Sequence, residues 1–551
     1  MIRELLVLTI LVSIFNIFYI LLEFEIKKDN YLLSLYIKKY IMKKEICDKK
    51  MKFEDCELAI LRTAVDKAEE RQGRAGANSP EIKRIITIVE NFIRNKKLIC
   101  YGGTAINNIL PKQDQFYNKD IEIPDYDFYS ANAMNDAKEL TDIYVKEGFV
   151  EVEAKSGQHY GTFKVFVNFI PVADITLLPK ELFNSIKNEA IKISGILYAP
   201  ANLLRMGMYL ELSRPAGDVS RWEKVLKRLT LLNKHYPLNS AQCNHVDFQR
   251  KMGDDENVDN IYNTVQQTLV DQGVVFFGGY AMSIYAQHMP NHLRHQLLKI
   301  PDFDVLSEDP TVTAQIIKER LNDIDVKNVK IIKRPSIGEI IAPHYEIRVG
   351  NDTVVFIYDP LACHSYNIIK ENGNDIKVAT IDTMLSFYLA FLYANRPYYD
   401  KNRILCMSKY LFEVQEKNRL AQKGVLKRFS INCMGHQETI EEMRAEKAEK
   451  FKELKDKKKT PEYDAWFLRY RPTDSKTKGN GEGEDGEANS NKETKGKNKT
   501  SSNTRRNKGK KDEKDEKDEK DEKDENDVKP FIKPVIKRRK TRKQKSKGFF
   551  F

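Results

Sequence analysis

The sequence predicts an α+β fold: two copies of one mixed-sheet module, flanked by helices and followed by a charged, disordered C-terminal tail. Three observations predict it. Tyr101-Gly102-Gly103-Thr104-Ala105 recurs as Phe277-Gly278-Gly279-Tyr280-Ala281, and Ile123-Pro124-Asp125-Tyr126-Asp127 recurs as Ile300-Pro301-Asp302-Phe303-Asp304, 176 and 177 residues later. A repeat in conserved order changes the whole reading of a fold. Around each copy, short apolar runs of strand length alternate with longer runs at helical spacing. Residues 511–525 repeat Lys-Asp-Glu with nothing apolar to bury, which marks a solvated spacer.

Composition sets the outer bounds. At 551 residues, two or three cores are expected. With 41% hydrophobic and 31% charged residues the chain is not wholly disordered. A net charge of +12 points to polyanionic partners such as nucleic acid. The seven cysteines are scattered without a CxxC pair, so neither a zinc site nor a disulfide framework is expected, and a reducing compartment follows.

Along the chain, 1–50 holds an apolar run at 5–24, about long enough to cross a bilayer as a helix. Two readings stay open there: a membrane anchor with its leader, or an upstream extension ahead of Met42 or Met51. Membrane association follows only from the first. Residues 51–99 read as helices, with Leu58, Leu61 and Val65, then Ile82, Ile85, Ile86 and Val89, at helical spacing after a Gly/Ser/Pro break. The first module, 100–235, opens with a strand at 98–101, a Gly-Gly turn and a helix, continues with strands at 121–128 and 164–178, and closes with helices at 201–233. Linker helices at 236–274 lead to the second module, 275–435. A helical extension at 436–471 ends in Tyr463, Trp466, Phe467 and Tyr470. The tail, 472–551, has a basic end at 529–547, suited equally to phosphate contacts and to import or solubility.

The repeated motifs carry chemistry. Adding a nucleotide to a hydroxyl is an in-line displacement at phosphorus that two divalent cations, Mg2+ or Mn2+, serve well. Such ions want hard oxygen ligands, and Asp-x-Asp on a strand aims both carboxylates at one face. Asp125 and Asp127 satisfy that rule, and Asp174, inside an apolar strand, is the third acid. Gly102 and Gly103 let backbone approach a triphosphate at the start of a helix, and Thr104 adds a hydroxyl. Lys164, Arg205 and Arg221 are the chosen triphosphate contacts, with Arg214, Lys224 and Arg228 further candidates for triphosphate or RNA; surface solvation is the commoner fate of any one of them. A lone Gly-Gly turn or Asp-x-Asp is ordinarily a plain turn or polar loop. The ordered combination, twice over, is what points to a nucleotidyltransferase. Tyr280 replaces Thr104 in the second copy, so the first copy is expected to be the active one. His159-Tyr160 stands fifteen residues before Asp174 and His344-Tyr345 fifteen before Asp359. Asp302, Asp304 and Asp359 therefore read as a second metal site, a vestige, or a structural feature.

Four stretches also carry a resemblance: Tyr-Gly-Gly-Thr-Ala-Ile-Asn-Asn at 101–108, Pro-Asp-Tyr-Asp-Phe-Tyr-Ser at 124–130, Val-Ala-Asp-Ile-Thr at 172–176, and Ser-Arg-Pro with Ser-Arg-Trp-Glu-Lys-Val within 213–225. The chain resembles the poly(A) polymerase catalytic subunits of large DNA viruses, in the giant-virus branch of the poxvirus-type family, over about 55–430. The resemblance implies polymerase-β-like nucleotidyltransferase modules, the second degenerate, with ATP as substrate and mRNA 3′ ends as acceptor. It carries over Asp125, Asp127, Asp174 and the Gly102-Gly103 turn. A homodimer through the duplicated modules, and a location in host cytoplasm and the virion, are further expectations. The alternatives are another template-free transferase, such as a terminal uridylyltransferase or oligonucleotide synthase, and a non-catalytic RNA-binding processivity protein.

Overall fold

In a computed structural model, residues 46–472 are described except 48–49, 119, 239–242, 244–245, 251–256, 290–301 and 372. The apolar run at 5–24 and the tail beyond Pro472 lie outside the described residues. Among those described, no helix is long and apolar enough to cross a membrane.

Helix α1, Phe53–Ala77, is exposed along most of its length. Helix α2, Pro80–Lys96, packs inward through Ile82, Ile85, Val89, Phe92 and Ile93, one stripe at helical spacing. Burying each such side chain contributes about 1.5–3 kcal/mol. Lys97 ends the helix in the left-handed region (φ 54°) and turns the chain into the first strand.

The first module then runs β1 (Ile99–Tyr101), α3 (Gly102–Ile109), β2 (Tyr126–Ser130), α4 (Ala133–Lys146), β3 (Val152–Ser156), β4 (Thr162–Val167), β5 (Ile170–Leu177), α5 (Lys180–Asn188), β6 (Ile191–Ile193), β7 (Ile196–Tyr198), α6 (Ala201–Leu212) and α7 (Trp222–His235). The second runs α8 (Val258–Asp271), β8 (Val275–Phe276), α9 (Gly279–Tyr285), β9 (Phe303–Leu306), α10 (Pro310–Asp323), β10 (Val329–Arg334), β11 (His344–Val349), β12 (Asp352–Tyr358), β13 (His364–Glu371), β14 (Asn374–Ala379), α11 (Ile381–Phe391) and α12 (Lys401–Lys417). After β15 (Cys433–Met434) come α13 (Ile440–Leu454), α14 (Pro461–Phe467) and β16 (Arg469–Tyr470).

The duplication is a duplication of sheet topology. One sheet has the order β16-β3-β4-β5-β2-β1-β7-β6, the other β10-β11-β12-β9-β8-β14-β13-β15. Without the added edge strands β16 and β15, the two orders superpose strand for strand. So do the directions: β2 runs parallel to β5 as β9 does to β12, and β1 parallel to β7 as β8 does to β14. Helices α6 and α11 pack on each other between the modules. Arg396 pairs with Glu181 at 2.6 Å, and Lys401 with Glu189 at 3.0 Å, across the same junction.

Three sequence expectations change here. The acidic strand starts at Tyr126, so 121–125 is a loop that delivers Asp125 to the head of β2. The C-terminal extension is helical only as far as Phe467; β16 then pairs with β3 and extends the first sheet. The cysteines are not all free thiols: Cys47–Cys56, Cys243–Cys406 and Cys363–Cys433 are disulfides, and Cys100 is free and buried. Spacing hid two of these pairs, because 163 and 70 residues separate their members.

Candidate active site

β2 alternates buried and half-buried positions, so Tyr126 and Phe128 enter the core while Asp127 points to the opposite face. Strand register places a row of side chains on that face. Lys164 of β4 lies opposite Asp174 of β5, Asp174 beside Asp127 of β2, and Asp127 opposite Tyr101 of β1. Asp125 enters from the loop just ahead. All three acids read from the sequence are therefore brought together, and Lys164 forms an ion pair with Asp174 through Oδ2.

The row holds more negative charge than its basic neighbours offset. Burial, then Asp125 and Asp174, push Asp127 up to about 7, while Lys164 and Arg221 oppose the rise. Burial and Asp174 also raise Asp125, although its outer face stays open to solvent. Asp174 Oδ1 is buried with no hydrogen-bond partner. Among the described residues no three His, Cys, Asp or Glu are already drawn into an ion cage. Three converging carboxylates, with Asp125 and Asp127 raised in pKa and one buried oxygen unmatched, nevertheless fit hard divalent cations such as Mg2+ or Mn2+. Asp125, Asp127 and Asp174 are the residues that could hold them.

The turn beside the row is built for close approach. Gly102 has φ +73°, and a Cβ there would run into Asp127 Oδ2. At Gly103 a Cβ would meet the Tyr117 hydroxyl and come within 3.0 Å of Arg228 Nη1. Gly103 thus faces a guanidinium at the start of α3, an arrangement suited to anionic oxygens. Arg228 donates to the Tyr117 hydroxyl (2.7 Å) and lies 4.6 Å from the Phe116 ring centre. A cavity of about 760 Å3 opens beside the acids, between Ile82 and Ile86 of α2 and Gly103 and Asn107 of α3.

Residues 87–218 match the family described as Poly(A) polymerase catalytic subunit, a span that contains the turn and all three acids. The chain resembles viral poly(A) polymerase catalytic subunits. It is 36% identical over 168 residues to the putative poly(A) polymerase catalytic subunit of African swine fever virus (strain Badajoz 1971 Vero-adapted), covering 29% of this chain and 35% of that protein. The match thus spans about a third of that relative's length. To the putative poly(A) polymerase catalytic subunit of Acanthamoeba polyphaga mimivirus it is 23% identical over 408 residues, 65% of this chain and 68% of that one. In fold it is similar to the crystal structure of the Megavirus polyadenylate synthase, with TM-score 0.63 and 20% identity over 78% of this chain and 88% of that one.

Against this poly(A) polymerase pattern the remaining expectations separate. Thr104 is buried, and its hydroxyl donates to the Asp125 carbonyl (2.6 Å), so it holds the acid loop instead of facing a triphosphate. Arg205 is not at the site. It is fully buried, with Nε donating to Asn233 (2.7 Å) and its other nitrogens to Asn202 and the Tyr236 carbonyl. Arg221 pairs with Glu211 at 3.0 Å and is close enough to Asp127 to lower its pKa. Arg228, one of the further candidates, is the basic residue that stands beside Gly103; it lies on α7, seven residues after Arg221, the N-cap of that helix.

Asp359 is not the counterpart of Asp174. In the second sheet the register partner of Asp304 is Phe356, and Phe356 faces Glu346 where Asp174 faces Lys164. The matching His-Tyr spacing is coincidental, since His344 begins β11 while His159 lies in the loop before β4.

Proposed function

We propose that the chain is a template-independent polynucleotide adenylyltransferase that adds AMP from ATP to mRNA 3′ ends, with chemistry confined to the first module. The observation that carries this reading is the register of Asp127 beside Asp174, with Asp125 at the strand head and the Gly102-Gly103 turn against them. The names of the viral relatives support adenylate as the group transferred.

In this reading the triphosphate lies on the Gly102-Gly103 backbone and the α3 N-terminus, within reach of Arg228 and Arg221. Two divalent cations held by Asp125, Asp127 and Asp174 would neutralise charge on the entering and leaving oxygens and acidify the 3′-hydroxyl. Asp174, with Oδ1 unpartnered, is the group placed to accept the hydroxyl proton. Lys164 holds its other oxygen and fixes the carboxylate plane. The cavity against α2 gives room for a nucleotide beside the acids.

The test incubates the full chain with a labelled RNA primer, Mg2+ or Mn2+, and each nucleoside triphosphate in turn. Adenylate ladders lost in Asp125→Ala but kept in Asp302→Ala are expected. Uridylate ladders would favour a uridylyltransferase, and tight RNA binding without extension by any nucleotide would favour a binding protein.

A further inference from the structure

In the second module the place between the acids is filled by a positive charge from the protein itself. Arg250, in the segment joining α7 to α8, ion-pairs with Asp302 (Nε to Oδ2, 2.7 Å) and donates a hydrogen bond to Asp304 (Nη2 to Oδ1, 3.1 Å). The guanidinium lies 4.6 Å from the centre of the Phe356 ring, the residue standing where the third acid stands in the first module. Its side chain is only 16% exposed. Burial alone would lower the Arg250 pKa, but Asp302 and Asp304 outweigh it and hold the guanidinium charged.

Glu346 replaces Lys164 and is held by Arg334 (2.5 Å) and Arg348 (3.2 Å). The first glycine of the turn keeps its neighbour, since a Cβ at Gly278 would strike Asp304 as one at Gly102 would strike Asp127, but a Cβ at Gly279 would strike Asp302 and reach within 3.2 Å of Gln249. The second glycine of each turn therefore faces different chemistry: Tyr117 and Arg228 in the first module, an acid and the connecting segment in the second. A divalent cation placed between Asp302 and Asp304 would meet a guanidinium.

We infer that the second module takes no metal ion, because Arg250 stands in the position of the cations and the Asp302–Asp304 pair has become an anchor for the connecting segment. Two further contacts fix the same segment to α12: Phe248 packs edge-on against Tyr410 at 5.3 Å, and Cys243 is bonded to Cys406. The anchored segment leaves the C-terminal end of α7, the helix that presents Arg228 to Gly103. The acid pair thus ties the segment that follows one module's helix to the other module. The inference concerns charge in the second module only and does not depend on the reaction assigned to the first.

Manganese binding to the full chain tests it, counted by the loss of the free-ion electron paramagnetic resonance signal. In Asp125→Asn/Asp127→Asn, which removes the first-module ligands, no stoichiometric ion is expected. Adding Arg250→Ala should create binding of one ion per chain, and adding Asp302→Asn should abolish it. Manganese held by the first variant and released by Asp302→Asn would overturn the inference, as would a folded Arg250→Ala that gains no ion. Should Arg250→Ala not fold, the comparison with Arg250 intact still decides between the two.

Discussion

Asp127 and Asp174 are register partners on the parallel strands β2 and β5, so their carboxylates share one face of the sheet, where Lys164 and Arg221 oppose the charge of Asp127. Burial and its two acidic neighbours raise Asp127 to about 7, whereas an unfolded Asp titrates near about 3.9. Between those values the folded protein binds more protons than the unfolded one, so stability is fullest below the unfolded pKa and is lost as pH rises through the folded one. In metal-free protein the melting temperature should therefore fall as pH rises from about 4 to about 7. Asp127→Asn should flatten that part of the profile and raise the melting temperature at pH 8. A profile unchanged by the substitution would show that Asp127 is not the group responsible.

Gly102→Ala is expected to cost both stability and activity. The residue sits at φ +73° and its added methyl would press on Asp127. A left-handed alanine costs about 1 kcal/mol or more, read by urea unfolding. Displacement of the acid should reduce nucleotide incorporation by more than about tenfold, on the scale of a misplaced catalytic group. Gly148, at φ +93° with open space around its Cβ, supplies the control. Gly148→Ala should show the backbone cost without the catalytic one.

Arg205 and Arg228 should separate cleanly. Arg205→Met leaves Asn202, Asn233 and the Tyr236 carbonyl without their buried donor and should cost roughly 2–4 kcal/mol in urea unfolding. Any loss of activity should follow the loss of folded protein. Arg228→Ala, half-buried over Phe116 beside Gly103, should change stability by less than about 1 kcal/mol while raising the KM for the nucleoside triphosphate. Equal KM in wild type and Arg228→Ala would remove this residue from the triphosphate site.

Much of the site was legible because its signals are local. Asp125-Tyr126-Asp127 needs only the two-residue period of a strand to aim both acids together, and Gly102-Gly103 needs only a strand-to-helix turn. The repeat was legible for the same reason, each copy carrying its own turn and acid pair. Arg205 shows where local reading stops. A basic residue on an amphipathic helix looks alike whether it faces solvent, substrate or, as here, the Asn233 side chain of α7 and the carbonyl of its C-cap, Tyr236.

By itself the sequence determined an α+β chain with two copies of one module, and it named the three acids that the first sheet brings together. Tertiary structure alone decided the partners. Whether Asp304 faces a third acid depends on strand register, and counting fifteen residues from a histidine chose Asp359 where the sheet places Phe356. Whether an acid pair takes a cation depends on what charge folding brings beside it. Arg250 lies 52 residues before Asp302 in the chain, yet its guanidinium closes on that carboxylate at 2.7 Å. Short-range geometry is written in residue spacing, but charge compensation is settled only when distant segments pack together.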